Sequence, residues 1–185
     1  MAKIPYRDGF NLDVVSHPGV HFWDCRSGLP FSDDSIAAIY SEHFFEHLDL
    51  YSEAYPFLHE CLRCLQRRGV LRIVVPDAGA YLRAYSGPWE RLADMRPLDS
   101  TPDGWRRDRW LGQIYQTKMQ FMNAIFRQAY EHKYAYDQET LVLVMREAGF
   151  AETVVQQFGV SIDPKMASDR NHRRTESLYV EAIKK

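Results

Sequence analysis

Val70-Leu71-Arg72-Ile73-Val74-Val75-Pro76-Asp77 decides the fold. Ile and Val dominate this short run, which is bounded by Gly69 and Pro76, so it reads as a strand. Ahead of it, Leu48, Tyr51, Tyr55, Leu58, Leu62 and Leu65 recur three and four residues apart. That spacing lays one apolar stripe along a helix, with Glu53, Glu60, Arg63 and Arg67 on the other side. Gly69 is placed to stop this helix. Ile36-Ala37-Ala38-Ile39-Tyr40 is a strand in front of it. Strand, helix, strand within about 35 residues is a βαβ unit, whose crossover makes parallel strands covered on both faces.

Further toward the N-terminus, 10–15 and 20–24 are short runs rich in aromatic and β-branched residues, separated by Ser16-His17-Pro18-Gly19. They read as two more strands, and 28–34 reads as a loop. Toward the C-terminus, Asp137 is a good N-cap, Glu139 suits the positive helix start and Gly149 suits the residue after the end, so 137–148 is a helix. Residues 154–160 and 177–183 close the chain as strands. The polar and basic stretch 161–176 between them has no helix pattern, so they form an antiparallel edge hairpin. Residues 79–135 differ, and hold Trp89, Trp105, Trp110 and many Tyr and Phe. Leu111, Ile114, Met122, Ile125 and Ala129 predict an amphipathic helix there, entered through Thr101-Pro102-Asp103-Gly104. Six Lys or Arg against two acids between Gly104 and Lys133 make this a basic helical insertion or lid.

The chain has 185 residues, enough for one domain with a sizeable core, and 45% hydrophobic against 26% charged residues argues against global disorder. A balance of 23 basic and 25 acidic residues excludes a general polycationic nucleic-acid binder. Three cysteines do not make a disulfide scaffold. No apolar run approaches a membrane span, and Met1-Ala2-Lys3-Ile4-Pro5 carries no apolar leader, so the expected location is the cytoplasm.

Several residues could carry chemistry. His43-Phe44-Phe45-Glu46-His47 fits H-x-x-E-H, in which two His on one helix face ligate zinc and the Glu acts as base. Against that, His43 ends a strand, Glu46 and His47 open the next helix, and nothing points to a third ligand, so no metal is expected. Cys61-Leu62-Arg63-Cys64 is a lone C-x-x-C in mid-helix, away from the helix N-terminus that lowers a thiol pKa, so its cysteines read as packing residues. Asp13 and Asp24 each end a strand, where α/β sheets bind ligands and an acid commonly holds ribose hydroxyls, although either could simply cap a turn. Asp77 also follows a strand and is a candidate base or turn residue.

These stretches resemble a known family. Residues 28–48, with Leu29-Pro30-Phe31 and Tyr40-Ser41-Glu42-His43-Phe44-Phe45-Glu46-His47, are similar to the LPF…S-x-H-x-L-E-H stretch of class I S-adenosylmethionine-dependent methyltransferases, type 11 group. Residues 60–77 resemble its E-x-x-R-V-L-K-P-G-G…P-D stretch, 136–150 its E-x-L-x-x-L-L-x-x-A-G-F, and 177–182 its last strand. The resemblance implies a Rossmann-like α/β fold, a mostly parallel sheet with an antiparallel edge hairpin, and S-adenosylmethionine as cofactor. It implies cofactor binding by Asp13 at the ribose, Asp24 and Cys25 on the adenine side, and Ser41 and Glu42 at the mouth shared with substrate. His43 and Asp77, at strand ends facing the cleft, are the candidate catalytic residues. The H-x-x-E-H match becomes part of the family motif.

The family starts with a strand and a Gly-rich loop that this sequence lacks; Tyr6-Arg7-Asp8-Gly9-Phe10-Asn11-Leu12-Asp13 resembles the segment that follows them. The first strand is therefore expected to be absent. A shortened sequence, a homodimer partner covering the open strands, or a member without cofactor binding would each account for it. The implied function is methyl transfer to an unidentified small-molecule or macromolecular acceptor. The alternative is a binding or oligomerising module.

Overall fold

A computed structural model describes residues 9–185. Met1–Pro5 and Tyr6-Arg7-Asp8 of the family-like opening segment lie outside them.

The Val70 run becomes the middle of β4 (Leu65–Pro76), which pairs on both sides. On one side it runs parallel to β3 (Ile36–Glu42), with Ile39 opposite Leu71 and Glu42 opposite Val74. On the other it runs antiparallel to β9 (Ser177–Ile183), which in turn pairs antiparallel with β8 (Glu152–Gln156). The order is β3-β4-β9-β8. Strands β3, β4 and β8 therefore point one way and β9 the other, as expected of a mostly parallel sheet with an antiparallel edge hairpin. Two short strands, β1 (Leu12–Asp13) and β2 (His21–Phe22), form a separate parallel pair.

Side-chain alternation decides what covers the sheet. Leu71, Ile73 and Val75 of β4 join Leu178, Val180 and Ala182 of β9 in the main core, against α1 (Tyr55–Cys64) and α5 (Gln138–Glu147). Cys61 and Cys64 are buried free thiols in this core, and burial pushes the Cys61 thiol up. The alternate β4 residue Arg72 faces away from that core and is fully buried.

The helix before β4 differs from its expected shape. Leu50–Ala54 is a π-helical turn, and Pro56, which lacks an amide donor, opens α1. The change of period swings Tyr51 out of the stripe, leaving it 78% exposed. The chain leaves the helix at Cys64, not at Gly69, because Leu65 is drawn into the core and pairs with Ile36. Gly69 sits in a bulge of β4, where a Cβ would come within 2.8 Å of the Gln66 carbonyl and 3.1 Å of that of Ala37.

Residues 78–135 also differ from expectation. They hold α2 (Ala78–Tyr85), α3 (Trp89–Met95), a three-stranded antiparallel sheet of β5 (Leu98–Ser100), β6 (Arg106–Asp108) and β7 (Ile114–Tyr115), and α4 (Lys118–Arg127). Thr101–Gly104 closes the β5–β6 hairpin rather than opening a helix, with Thr101 N donating to Trp105 O and Gly104 at φ +79°. The helix starts only at Thr117, whose hydroxyl and Gln120 form a capping box. Tyr81, Leu92, Tyr115, Phe121, Met122 and Ile125 make a second core inside this segment.

Candidate functional site

β3 and β4 run parallel, so their carboxyl ends emerge side by side, where α/β sheets bind ligands. The end of β3 carries three of the expected residues, Ser41, Glu42 and His43. The end of β4 carries Asp77. Asp13 and Asp24 meet elsewhere, at the ends of the β1–β2 pair, where Trp23 N donates to Asp13 O.

Ser41 is buried and its Oγ has no hydrogen-bond partner among the described residues. Glu42 Oε2 takes Arg170 Nε at 3.0 Å, while its buried Oε1 has no hydrogen-bond partner among the described residues. His43 turns the chain off the strand with φ +47°, a left-handed conformation uncommon outside glycine. Its Nε2 lies 2.9 Å from Ser177 Oγ. Burial, reinforced by Arg173, pushes the imidazole down to about 3, so it stays neutral and is a weak proton acceptor. Asp77 accepts Ala80 N at 2.8 Å as the N-cap of α2, and pairs as an isolated parallel bridge with Tyr136. Asp13 accepts Val15 N at 3.1 Å. Asp24 turns both carboxylate oxygens to Arg26, which holds its carboxyl below the usual range. Cys25 is half-buried and packs against the main core.

The H-x-x-E-H stretch does not lie on one helix. His43 is in the left-handed turn, and Glu46 and His47 follow in a single 3-10 turn, Phe45–His47. Glu46 is 2% exposed, and neither of its oxygens has a hydrogen-bond partner among the described residues. Its nearest nitrogens are His43 Nδ1 at 3.3 Å and His132 Nε2 at 3.9 Å. Burial raises its carboxyl above the usual value. Glu46 borders a small cleft with Pro76, Ala78, Ile125, His132 and Tyr136, and the Tyr136 hydroxyl is a further buried group without a hydrogen-bond partner among the described residues.

His132 is the residue that sequence reasoning missed. It sits far along the chain from His47 and belongs to no local motif. Its segment is brought in by backbone bonds, Lys133 N and Tyr134 N both donating to Glu46 O, at 2.9 and 3.2 Å.

Residues 3–73 match the family model described as a methyltransferase domain. The fold resembles those of solved methyltransferases. The chain carries a methyltransferase fold. One such structure is a S-adenosylmethionine-dependent methyltransferase from Thermotoga maritima, 17% identical, with a TM-score of 0.51 over 90% of this chain and 63% of that one. Another is the 1,6-didemethyltoxoflavin-N1-methyltransferase of Burkholderia thailandensis, solved with its namesake compound and S-adenosylhomocysteine. It is 12% identical, with a TM-score of 0.50 over 94% of this chain and 59% of that one. This chain thus spans about three fifths of the length of either methyltransferase. No curated protein matches it by sequence. The type 11 resemblance is matched over residues 3–73, and the α/β class is upheld. Among the described residues, β3 forms one edge of the four-stranded sheet and β8 the other, and no helix is long and apolar enough to cross a membrane.

Proposed function

We propose that this chain binds S-adenosylmethionine at the carboxyl ends of its parallel strands and transfers the methyl group to an acceptor. The observation that carries the reading is the methyltransferase-domain match ending in β4, on a strand pair whose exit holds two orphaned buried polar atoms, Ser41 Oγ and Glu42 Oε1. Buried polar groups without partners are costly unless a ligand satisfies them, so these atoms fit a polar cofactor. When bound, the cofactor supplies an electrophilic methyl on a sulfonium. The chain's part is to position the acceptor in line and to exclude water.

In this reading Asp13 accepts the ribose hydroxyls, Cys25 and the Asp24 turn line the adenine side, and Ser41 and Glu42 hold the opposite end. His43, neutral and tied to Ser177, orients the acceptor rather than taking its proton. Asp77, fixed by the N-cap of α2, sits at the acceptor end as the remaining candidate base. Residues 78–135 form the wall over the acceptor.

Calorimetric titration of the full chain with S-adenosylmethionine and S-adenosylhomocysteine tests the reading. Both should bind, and Asp13→Ala should weaken binding about tenfold or more, the effect of removing one hydrogen bond to a charged group. No binding of either compound would leave a methyltransferase fold serving as a binding module.

A further inference from the structure

We propose that Glu46, His47 and His132 form a divalent transition-metal site of the zinc class in the wall of the cleft. One ligand atom from each lies within 4.8 Å of the other two. Two imidazoles and a carboxylate are a known donor set for zinc that leaves a fourth position open.

Hydrogen bonding argues for the same conclusion. His47 Nδ1 is 3.1 Å from the carbonyl of Glu131, and His132 Nδ1 is 2.7 Å from that of Ile125. A carbonyl only accepts, so each ring places its one neutral-state proton on Nδ1. The lone pair of each is then on Nε2, and for His132 that atom is the one nearest Glu46. Neither ring can donate to the carboxylate while neutral. His47 and His132 therefore turn two lone pairs toward a buried carboxylate, beside which His43 Nδ1 at 3.3 Å is the other ring nitrogen, and a cation satisfies both lone pairs and the carboxylate. Anchoring the far nitrogen of a ligating histidine on a backbone carbonyl is also how metal sites set the tautomer and aim the ring.

The backbone around the cluster is built for position. Gln128, Ala129 and Tyr130 are all at positive φ, 34°, 54° and 74°, and deliver the chain to His132. Such residues persist only where the surroundings over-determine them, and they gather at functional sites. Lys133 N and Tyr134 N lock this segment onto the Glu46 carbonyl. The His47 and His132 rings meet edge to face, centroids 4.7 Å apart. Closing the donors onto bonds of about 2.0–2.2 Å takes a shift of roughly 1 Å, within reach of side-chain rotation. The small cleft holding Tyr136 opens beside Glu46 and His132.

The inference does not depend on cofactor binding, and its test is separate. Metal-stripped full-length protein is titrated with Zn²⁺ by calorimetry and with Co²⁺ by visible absorption. One equivalent of Zn²⁺ should bind, and Co²⁺ should give the intense ligand-field bands of a low-coordinate site. Glu46→Gln and His132→Ala should each weaken Zn²⁺ binding by at least about tenfold and abolish the Co²⁺ bands. His59→Ala, an exposed histidine, should change neither. Circular dichroism checks the fold of each variant, and if His132→Ala unfolds, the isosteric Glu46→Gln carries the test. Substoichiometric Zn²⁺ binding by the native protein, or equal affinity in the native protein and folded Glu46→Gln, overturns the proposal.

Discussion

Arg72 and Glu46 are both buried charges at the same sheet, and their surroundings are opposite. Arg72 meets Asp169 at 2.5 Å, Glu181 at 2.8 Å and the carbonyl of Val160 at 2.9 Å. Its partners are in turn occupied. Asp169 also accepts Tyr40 Oη and Gly159 N, and Glu181 also accepts Ser161 Oγ, Ile162 N and Gln156 Nε2. The network pins the loop between β8 and β9 onto the second face of the sheet, the face that carries no helix of the main core. Glu46 has no hydrogen-bond partner for either carboxylate oxygen among the described residues, only ring nitrogens of His43 and His132 at 3.3 and 3.9 Å. Burial alone therefore does not mark a functional charge. A saturated cluster explains itself as structure, whereas an orphaned one asks for a ligand.

The comparison breaks first at Arg72. Arg72→Ala strands two carboxylates and should cost about 3–5 kcal/mol in urea denaturation. A loss under about 1 kcal/mol would mean that the network holds nothing together. Tyr40→Phe removes a single bond to Asp169 and should cost about 1 kcal/mol by the same measurement. Glu46→Gln should act in the other direction. In metal-free protein it exchanges an unpaired buried charge for a neutral amide, leaving stability unchanged or raising it by up to about 1 kcal/mol. A clear loss would show that Glu46 has partners of its own.

The smallest effect is at Glu60, a charge saturated at the surface. It accepts Arg63 and Leu29 N, which hold its carboxyl down to about 2. A depressed carboxyl contributes stability above its ordinary value near 4.5, lost as pH falls toward 2. Glu60→Gln should therefore lower stability at neutral pH by less than about 1 kcal/mol, the size of an exposed ion pair, and flatten the acid limb so that the two proteins converge as pH falls toward 2. An unaltered acid limb would sink this assignment.

The sequence was most legible where one local rule acts alone. β9 spans 177–183 as read, because a mostly apolar run stands between the polar stretch before it and the lysines after it. α5 begins after Asp137 because the N-cap acts within one turn. The reading failed where two rules compete. Leu111 and Ile114 were assigned with Met122 and Ile125 to one helix, although the first pair lies in and beside a β-hairpin; the Thr117–Gln120 capping box, visible in the sequence, marks the true start. Gly69 resembled a helix stop, but it is required by the carbonyls of Gln66 and Ala37, a tertiary cause. Of the site, Ser41, Glu42, His43 and Asp77 could be found at strand ends because strands end at breakers. His132 could not, since its place beside Glu46 is made by bonds between distant backbones.

The bridge between Asp77 and Tyr136 gives the molecule a seam. Ala78 N donates to Tyr136 O, so everything between these two residues leaves the sheet and returns at the same spot. It also carries its own apolar interior. Such an arrangement is a cassette: it can be exchanged, lengthened or excised without re-threading the sheet. A flexible splice of about a dozen residues would suffice, the reach that side-by-side parallel backbones demand. Excision takes His132 with it and leaves the strand ends behind, so the proposed metal site and the proposed cofactor site are separable in this fold.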